Sequence, residues 1–334
     1  MWAAPTLAGL ILAAGAVTNV SMPARTWPAE SARIEAPELR DPKVVPFPEA
    51  ESPSARLEVP TVAPPAFAPV VPVKAGRGPV LPERRIVAYY GNPLTGLMGV
   101  LGEQPLTETV QRLRRQAQAY ADADPLRPVQ PAFQVITPVA QDKPGLDGLF
   151  RLRMSPDVLD DVTEVAEREH VLLILDVQIG QSTVADELRP LLPYLRRPYV
   201  HLALDPEFAM ADGRGKPGEV IGTLDATDVN LAVRVLTDVV AAEGLPPKVL
   251  IVHRFLQGML TNYNAVQPSP SVQVVVDMDG FGAPHVKLDK YQTFVREQAI
   301  QYGGVKLFYK HDAPLWSPAE VLGLEPPPDV VIYQ

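Results

Sequence analysis

Apolar runs alternate with amphipathic segments along the chain after Glu83. Each apolar run has the length of a buried strand and is bounded by turn-forming or polar residues. The pattern predicts eight strands: RIVAYYG (85–91), AFQVITP (132–138), VLLILDVQ (171–178), YVHLALDPE (199–207), KVLIVHRF (248–255), VQVVVDMDG (272–280), VKLFYKHD (305–312) and DVVIYQ (329–334).

Helix signals mark the segments between these strands. Apolar residues recur there at helical spacing, with capping residues at the starts and glycines at the ends. They predict helices over 155–169, 225–244 and 288–303 and a short one from 317, with caps at Ser155, Asp225 or Thr227, and Ser317, and with stops at Gly244 and Gly303.

Eight buried strands alternating with helices over about 250 residues predict an α/β fold, the (β/α)8 TIM barrel. An open doubly wound sheet is the competing fold. Its Gly-rich first turn, GxGxxG, is missing from YYGNPLTG after the first strand. The last predicted strand reaches Gln334, so the eighth helix is expected to be missing or supplied by the N-terminal segment.

Proline density divides the chain before the barrel. Of the 38 prolines, 15 precede residue 85, which predicts an extended Pro-rich linker over 25–84 and a barrel domain over 85–334. Residues 1–24 are uncharged and contain LAGLILAAGAV, the length of a signal-peptide core. They predict a signal peptide or an N-terminal anchor, although the missing positive start leaves an uncleaved anchor or a misassigned start open. The plan is typical of a secreted or cell-surface bacterial protein.

Charge and composition exclude several classes of function. The net charge of -9 and the lack of a basic cluster argue against nucleic acid and against an anionic membrane as partner. There is no cysteine, and the five histidines form no HxH or HExxH pair. We therefore expect no metal and no cofactor, and contact with a membrane only through an N-terminal anchor.

Polar residues recur where the predicted strands end. In a (β/α)8 barrel the reacting groups stand at the C-terminal ends of the strands, around the mouth. Burying unpaired charge for stability alone is costly, so this placement predicts a functional site. The residues are Tyr90, Asn92, Asp176, Gln178, Asp205, Glu207, His253, Asp277, Asp279, Lys310, Tyr333 and Gln334.

Two acids end the fourth predicted strand, in HLALDPE. Residues two apart on a strand share a face, so Asp205 and Glu207 are expected to face the mouth together, with Cα atoms roughly 6 to 7 Å apart. Carboxyl groups this close push their pKa values apart, which leaves one ionised and one protonated. Glycosidic bond cleavage needs such a pair, an acid for the leaving oxygen and an anion for the developing cation.

The D-x-E at the tip of strand four resembles the active strand of family 18 chitinases and family 25 lysozymes. The resemblance implies that Glu207 is the proton donor and that Asp205 supports it. HLALDPE lacks the earlier acids of the longer chitinase run, DxxDxDxE. The sequence therefore predicts a more general glycoside-hydrolase-like barrel.

Two acids of strand six are candidates for the second carboxylate. Asp277 and Asp279 share strand parity, and we expect one of them at a retaining distance of about 5 to 5.5 Å or an inverting distance of about 6.5 to 9.5 Å from Glu207, with His253 between. The competing interpretation of Asp279 is a turn with Gly280. His253 has an alternative role as a hydrogen-bonded core residue.

Other strand-end residues are predicted to bind substrate, each with an alternative. Asp176 would bind a sugar hydroxyl or pair with Lys310, and Lys310 would form a salt bridge or, alternatively, a Schiff base. Aromatic rings suit the flat faces of sugars but also suit a barrel core. The predicted substrate-binding residues are Tyr90, Asn92, Asp176, Gln178, His253, Lys310, Trp316 and Tyr333.

The sequence thus predicts an exported glycoside-hydrolase-like protein acting on extracellular or cell-wall polysaccharide. Its catalytic candidates are Glu207, Asp205, Asp277 and Asp279. Two other functions stay open: a non-catalytic surface barrel that binds carbohydrate or a protein partner, and a Schiff-base or cation-dependent enzyme using the Asp cluster.

Overall fold

The structure, a computed structural model, describes residues 78–334 except Asp212 and Arg214. The signal peptide or anchor over 1–24 and most of the Pro-rich linker over 25–84 therefore lie outside the described residues. Eight parallel strands form the centre of the described part. They are β1 Arg85–Gly91, β2 Val129–Ile136, β3 Leu172–Val177, β4 Val200–Leu204, β5 Lys248–Arg254, β6 Val272–Met278, β7 Tyr302–Leu307 and β8 Val330–Tyr333.

The eight strands close into a barrel in sequence order, with β8 paired back onto β1. Ile86 pairs with Val330 and Tyr89 with Tyr333 at this closure. Helices cover the outside, and the segment between β5 and β6 holds two short 3-10 turns and the two-residue strand Leu260–Thr261. The helices are α1 Leu106–Ala123, α2 Pro156–Arg168, α3 Val184–Leu188, α4 Leu192–Leu195, α5 Ala226–Glu243, α6 Pro284–Tyr291 and α7 Pro318–Leu322.

This architecture is the predicted (β/α)8 TIM barrel, and within the described residues no helix follows β8. Its strands are buried on both faces, since one face packs in the barrel interior and the other against the helices. None of the described helices is long and apolar enough to cross a membrane.

The predicted helix caps explain where α5 and α7 begin. The side chain of Asp225 accepts the backbone N–H of Thr227, and Asp228 reaches back to the N–H of Asp225. Ser317 and Glu320 form the same reciprocal arrangement at α7. Such capping boxes satisfy backbone donors that the first turn of a helix leaves free. Gly244 ends α5 in the left-handed conformation, as predicted.

The predicted helix stop at Gly303 is wrong. α6 continues as a π-helical turn over Gln292–Glu297 and ends at Gln298, whereas Gly303 lies inside β7. A side chain there would come within 2.4 Å of Val295 on the helix, so glycine serves close packing between helix and strand. Its role is therefore not that of a helix cap.

The residues just before β1 pack against the barrel. Leu81 is completely buried at the N-terminal end of the barrel. The amide oxygen of Gln273, on β6, accepts the backbone N–H groups of Val80 and Leu81 at 3.1 Å each, and its nitrogen donates to the Leu81 carbonyl. The last residues of the predicted linker therefore close the bottom of the barrel.

We expect Leu81→Ala to lower the free energy of unfolding by about 2–5 kcal/mol, because it removes a fully buried side chain and leaves a cavity. Leu126→Ala is the matched control, since Leu126 is 96% exposed between α1 and β2. Denaturant unfolding of both full-length variants measures the difference. Equal stability of the two variants would show that the segment before β1 does not belong to the core.

Candidate functional site

A completely buried histidine lies at the centre of the barrel interior. His253, on β5, lies between two acids: its Nε2 is 2.9 Å from Asp176 Oδ2 on β3, and its Nδ1 is 2.9 Å from Asp277 Oδ2 on β6. All three side chains are fully buried. Strands β3 and β5 are not neighbours, so these groups meet inside the barrel. Asp176 and Asp277 hold the pKa of His253 well above its usual range against the effect of burial, so the ring is an imidazolium that can donate from both nitrogens.

Two further residues adapt the barrel interior to this histidine. The side-chain nitrogen of Gln134, on β2, lies 2.9 Å from His253 Nε2 and donates to Asp176 Oδ2. Gly304, on β7, makes room for Asp277, because a Cβ at this position would come within 2.8 Å of Asp277 Oδ1. The polar cluster therefore depends on residues from β2, β3, β5, β6 and β7.

A second layer lies nearer the mouth. Asp279 Oδ2 is 3.3 Å from His253 Nδ1 and accepts from the ammonium of Lys306, on β7, at 3.1 Å. The same ammonium lies 3.5 Å from the ring centroid of Tyr90, on β1, an arrangement with a favourable cation–π contribution. Asp277 and Asp279 thus face the interior together, as their strand parity predicts, and Asp279 does not serve the turn.

The two acids after β4 lie in a turn and not on one strand. β4 ends at Leu204, and Pro206–Phe208 forms a 3-10 turn. Asp205 Oδ1 accepts the backbone N–H of Glu207 at 3.2 Å and so caps this turn. The expectation that both residues share a strand face is therefore wrong.

Asp205 nevertheless belongs to the polar cluster of the mouth. Its Oδ2 accepts from Gln178, which also donates to the hydroxyl of Tyr90, at 3.3 Å in both cases. Gln178 itself is fixed by the backbone N–H of Ala140, which donates to its oxygen at 3.1 Å. Asp205 is 3% exposed, whereas Glu207 is half-buried and reaches solvent.

The loop after Glu207 returns to the same turn through a glycine. The Gly222 N–H donates to the Glu207 carbonyl at 2.7 Å. A Cβ at position 222 would lie 2.5 Å from the Pro206 oxygen and from the Ala209 nitrogen. Only glycine fits so close to the backbone, so the sequence fixes the loop against the acidic turn.

Carboxyl groups outnumber cations in this cluster. Asp176, Asp205, Glu207, Asp277 and Asp279 face His253 and Lys306, and both cations contact Asp279. Neither cation lies within salt-bridge distance of Asp205 or Glu207. Among the described residues, Asp205 and Glu207 therefore have no cation within salt-bridge distance.

Burial favours the neutral form of Asp205, Glu207 and His253, but only the two acids follow it. It raises the pKa of Asp205 to about 7, although His253 acts against this, and it raises the pKa of Glu207 to about 8, with the charges of Asp205 and Asp279 adding to the effect. Burial also opposes the charge on His253, but Asp176 and Asp277 outweigh it and hold the pKa of His253 well above its usual range. One acid at the mouth thus stays protonated at neutral pH.

The cluster also contains a set of atoms able to hold a metal ion. The ligand atoms of His253, Asp277 and Asp279 lie within 4.8 Å of one another, and all three side chains are buried. The ammonium of Lys306 already contacts Asp279, and the imidazolium of His253 bonds to Asp277. A divalent ion would have to displace one charge and deprotonate the other, so the residues fit an ion poorly.

Four predicted substrate-binding residues lie away from the cluster. Asn92 caps the local turn at Leu94, and Lys310 is 68% exposed and pairs with Glu103. Asp176 therefore pairs with His253 and not with Lys310. Trp316 packs near the ammonium of buried Lys287. Tyr333 points outward, because its hydroxyl bonds to Tyr120 and Gln116 on α1.

The structure brings together the other predicted residues, Tyr90, Asp176, Gln178, Asp205, Glu207, His253, Asp277 and Asp279. Sequence reasoning missed Gln134 and Lys306. Both interrupt apolar runs, in AFQVITP and VKLFYKHD, and a polar side chain in the middle of a buried strand was the available signal.

A cavity of about 330 Å³ lies elsewhere, outside the barrel. Residues of α2, of α3–α4 and of the segment after β2 line it, among them Pro138, Met154, Leu191 and Tyr194. None of the five clustered acids contributes to it. This cavity is therefore separate from the acidic cluster at the barrel mouth.

Comparison with known proteins leaves the family open. No family model matches the chain, and no curated protein matches it. Solved structures do match, among them the crystal structure of an uncharacterized B. cereus protein, with 12% sequence identity and a TM-score of 0.34. The match covers 75% of this chain and spans 60% of the length of that protein. The chemistry is therefore inferred from the side chains alone.

We expect His253→Gln to lower the free energy of unfolding by about 3–5 kcal/mol, because it leaves buried carboxyl groups without their cation. His285→Gln, on the exposed face of α6, is the control. Denaturant unfolding at pH 7 measures both. A loss below about 1 kcal/mol for His253→Gln would show that the charge of the imidazolium is not needed.

Stability is expected to fall as the pH rises from about 5 to about 8. Asp205 and Glu207 bind their protons more tightly in the folded than in the unfolded protein, because their pKa values are raised to about 7 and about 8. Their contribution is complete below the unfolded pKa of about 4 and is lost as the pH passes the folded values. Between pH 5 and pH 8 the free energy of unfolding should therefore decrease by about 2 kcal/mol less in Glu207→Gln than in the wild-type protein, allowing for solvent screening.

Glu219→Gln is the control for this measurement, since Glu219 is exposed on the following loop and pairs with Lys216. Melting temperatures across the pH range measure the effect. A clear loss of stability in Glu207→Gln at pH 8 would mean that Glu207 is instead a charged partner in a structural ion pair.

Proposed function

We propose that the protein is an exported glycoside-hydrolase-like enzyme that cleaves glycosidic bonds of an extracellular or cell-wall polysaccharide. Glu207 is the proton donor and Asp205 its supporting acid. The observation that carries the proposal is that Glu207, alone among the five clustered acids, reaches solvent and has a pKa raised to about 8. A general acid must be protonated at the working pH and accessible to the leaving oxygen.

The reaction assigns a role to each side of the mouth. Glu207 gives its proton to the glycosidic oxygen as the bond to the anomeric carbon breaks, and water adds to the resulting cation and loses a proton to a carboxylate. Asp279 suits this second role better than Asp277, because Asp277 lies deeper and is fully buried against His253 and Gly304. The separation of Asp279 from Glu207 decides between retention and inversion.

The distribution of exposed apolar side chains favours the mouth as the binding face. In the described residues, every exposed large apolar side chain except Leu126 lies between the C-terminal end of a strand and the first turns of the next helix. Phe281, after β6, is 40% exposed and its ring packs 5.3 Å from His311. Exposed rings and aliphatic groups of this kind suit the apolar faces of sugars.

A non-catalytic barrel that binds carbohydrate or a protein partner is the second candidate. The observation in its favour is the depth of the cluster, since Asp205 and Asp279 are only 3% and 7% exposed. The Schiff-base alternative loses its nucleophile, because Lys310 is an exposed ion-pair partner and the surrounding acids raise the pKa of Lys306 against the effect of its burial. Export and a surface location belong to the proposal and rest on residues 1–84 of the sequence.

We expect Glu207→Gln to lower the hydrolysis rate by at least about 100-fold, because the amide has no proton to give. Release of reducing ends from cell-wall polysaccharides, and of the fluorophore from a panel of fluorogenic glycosides, measures the rate. The wild-type rate should fall as the pH rises through about 8, where Glu207 loses its proton. Glu219→Gln should retain the wild-type rate. An unchanged rate in Glu207→Gln would exclude Glu207 as the acid.

A further inference from the structure

A buried lysine outside the cluster contacts the backbone that carries two of its charged groups. Lys287, on α6, is 2% exposed. Its ammonium donates to the carbonyl of Gly280 at 2.6 Å and to the carbonyl of Lys306 at 2.8 Å. Gly280 directly follows Asp279. One ammonium thus joins the backbone directly after Asp279 to the backbone of Lys306, its partner in the ion pair.

Asp312 holds this ammonium in place. Its Oδ2 lies 3.0 Å from Lys287 Nζ and accepts the backbone N–H of Phe308 at 2.9 Å. Its Oδ1 accepts the N–H of Gly282, also at 2.9 Å. Every polar atom of the pair is therefore used, and each bond goes to the segment after β6 or to the end of β7.

We propose that Lys287 is a positioning residue that fixes Asp279 and Lys306 at their contact distance across the barrel mouth. The carbonyls of Gly280, just after β6, and of Lys306, on β7, both accept from the same ammonium, at 2.6 and 2.8 Å. The side chains attached to this backbone are in contact, with Lys306 Nζ 3.1 Å from Asp279 Oδ2. Without the bridge, the segment after β6 has no comparable bond to the Lys306 backbone among the described residues.

A second buried lysine separates this role from simple stabilisation. Lys248, on β5, is also fully buried and donates to two carbonyls, those of Arg197 at 2.5 Å and Val200 at 2.9 Å. These carbonyls lie at the start of β4, at the opposite end of the barrel from the mouth. The chemical reactivity of Lys248 therefore measures general loosening of the protein, whereas the reactivity of Lys306 measures changes at the mouth.

The test compares the reactivity of these two lysines in the full-length protein. Native protein is acetylated with an N-hydroxysuccinimide ester at constant pH, and the rates at Lys306 and Lys248 are read by peptide mass spectrometry. In Lys287→Met we expect the ratio of the Lys306 rate to the Lys248 rate to rise at least about tenfold, because Lys306 loses its fixed position. Lys290→Met, on the same helix and over the ring of Phe255, should leave the ratio unchanged.

A second variant is needed because Lys287→Met alone leaves Asp312 buried and unpaired, which would destabilise the fold. Lys287→Met combined with Asp312→Asn removes both charges and should show the same rise in the ratio. If both rates rise in parallel in either variant, Lys287 is only a stabilising residue and the proposal fails. An unchanged ratio with unchanged stability would overturn it as well.

The consequence for catalysis rests on the proposed function. If the protein hydrolyses glycosides, Lys287→Met should lower kcat with little effect on KM, because Lys287 touches neither the substrate nor the proton donor. Labelling needs no substrate, so a wild-type protein without hydrolase activity would refute the proposed function and leave the positioning role intact. A raised labelling ratio with an unchanged kcat would show that the fixed contact of Asp279 with Lys306 is not used in catalysis.

Discussion

The imidazolium of His253 is the interaction on which the barrel interior depends. Carboxyl groups from β3 and β6 meet it from opposite sides at 2.9 Å, in the fully buried interior of the barrel. Desolvating one carboxylate without a partner costs several kcal/mol, and a second nearby acid adds repulsion. A cation that donates two hydrogen bonds offsets both terms, so the barrel can carry acids where other barrels carry aliphatic side chains.

Lys306 is a second buried cation that neutralises a buried carboxylate, one layer nearer the mouth. It neutralises Asp279 at 3.1 Å and rests over the ring of Tyr90, so that its desolvated ammonium has both an anion and a π-face. This packing also requires glycine at two backbone positions. Gly304 leaves space for Asp277, and Gly222 lets the loop return within hydrogen-bond distance of the acidic turn. Charge and steric constraints therefore act on the same few positions.

Strand rhythm and capping residues were enough to predict the barrel, since both depend on local patterns that tertiary contacts do not alter here. Asp225 and Ser317 cap the helices they were expected to cap. Gly303 was misread because a glycine signal does not distinguish a helix stop from close packing of a strand.

The prediction that Asp205 and Glu207 share a strand face is wrong for a similar reason. Pro206 lacks a backbone N–H and Asp205 favours a cap, so the strand stops at Leu204 and Glu207 turns away from strand parity. Both signals were present in DPE, but the alternation of the preceding residues outweighed them. The outward direction of Tyr333 depends on where α1 packs, which no local pattern contains.

Division of the carboxyl groups into two classes follows from how few cations the interior holds. Asp176, Asp277 and Asp279 take up the hydrogen-bonding capacity of His253 and the ammonium of Lys306. Asp205 and Glu207 then have only an amide and a backbone N–H as hydrogen-bond donors, and burial raises their pKa values, as it also raises that of Asp277 despite its contact with His253. The barrel loses stability as the pH rises and these acids give up their protons. The same retained proton is what a general acid at neutral pH needs. A shortage of cations at the mouth thus links the stability of the barrel to the chemistry proposed for it.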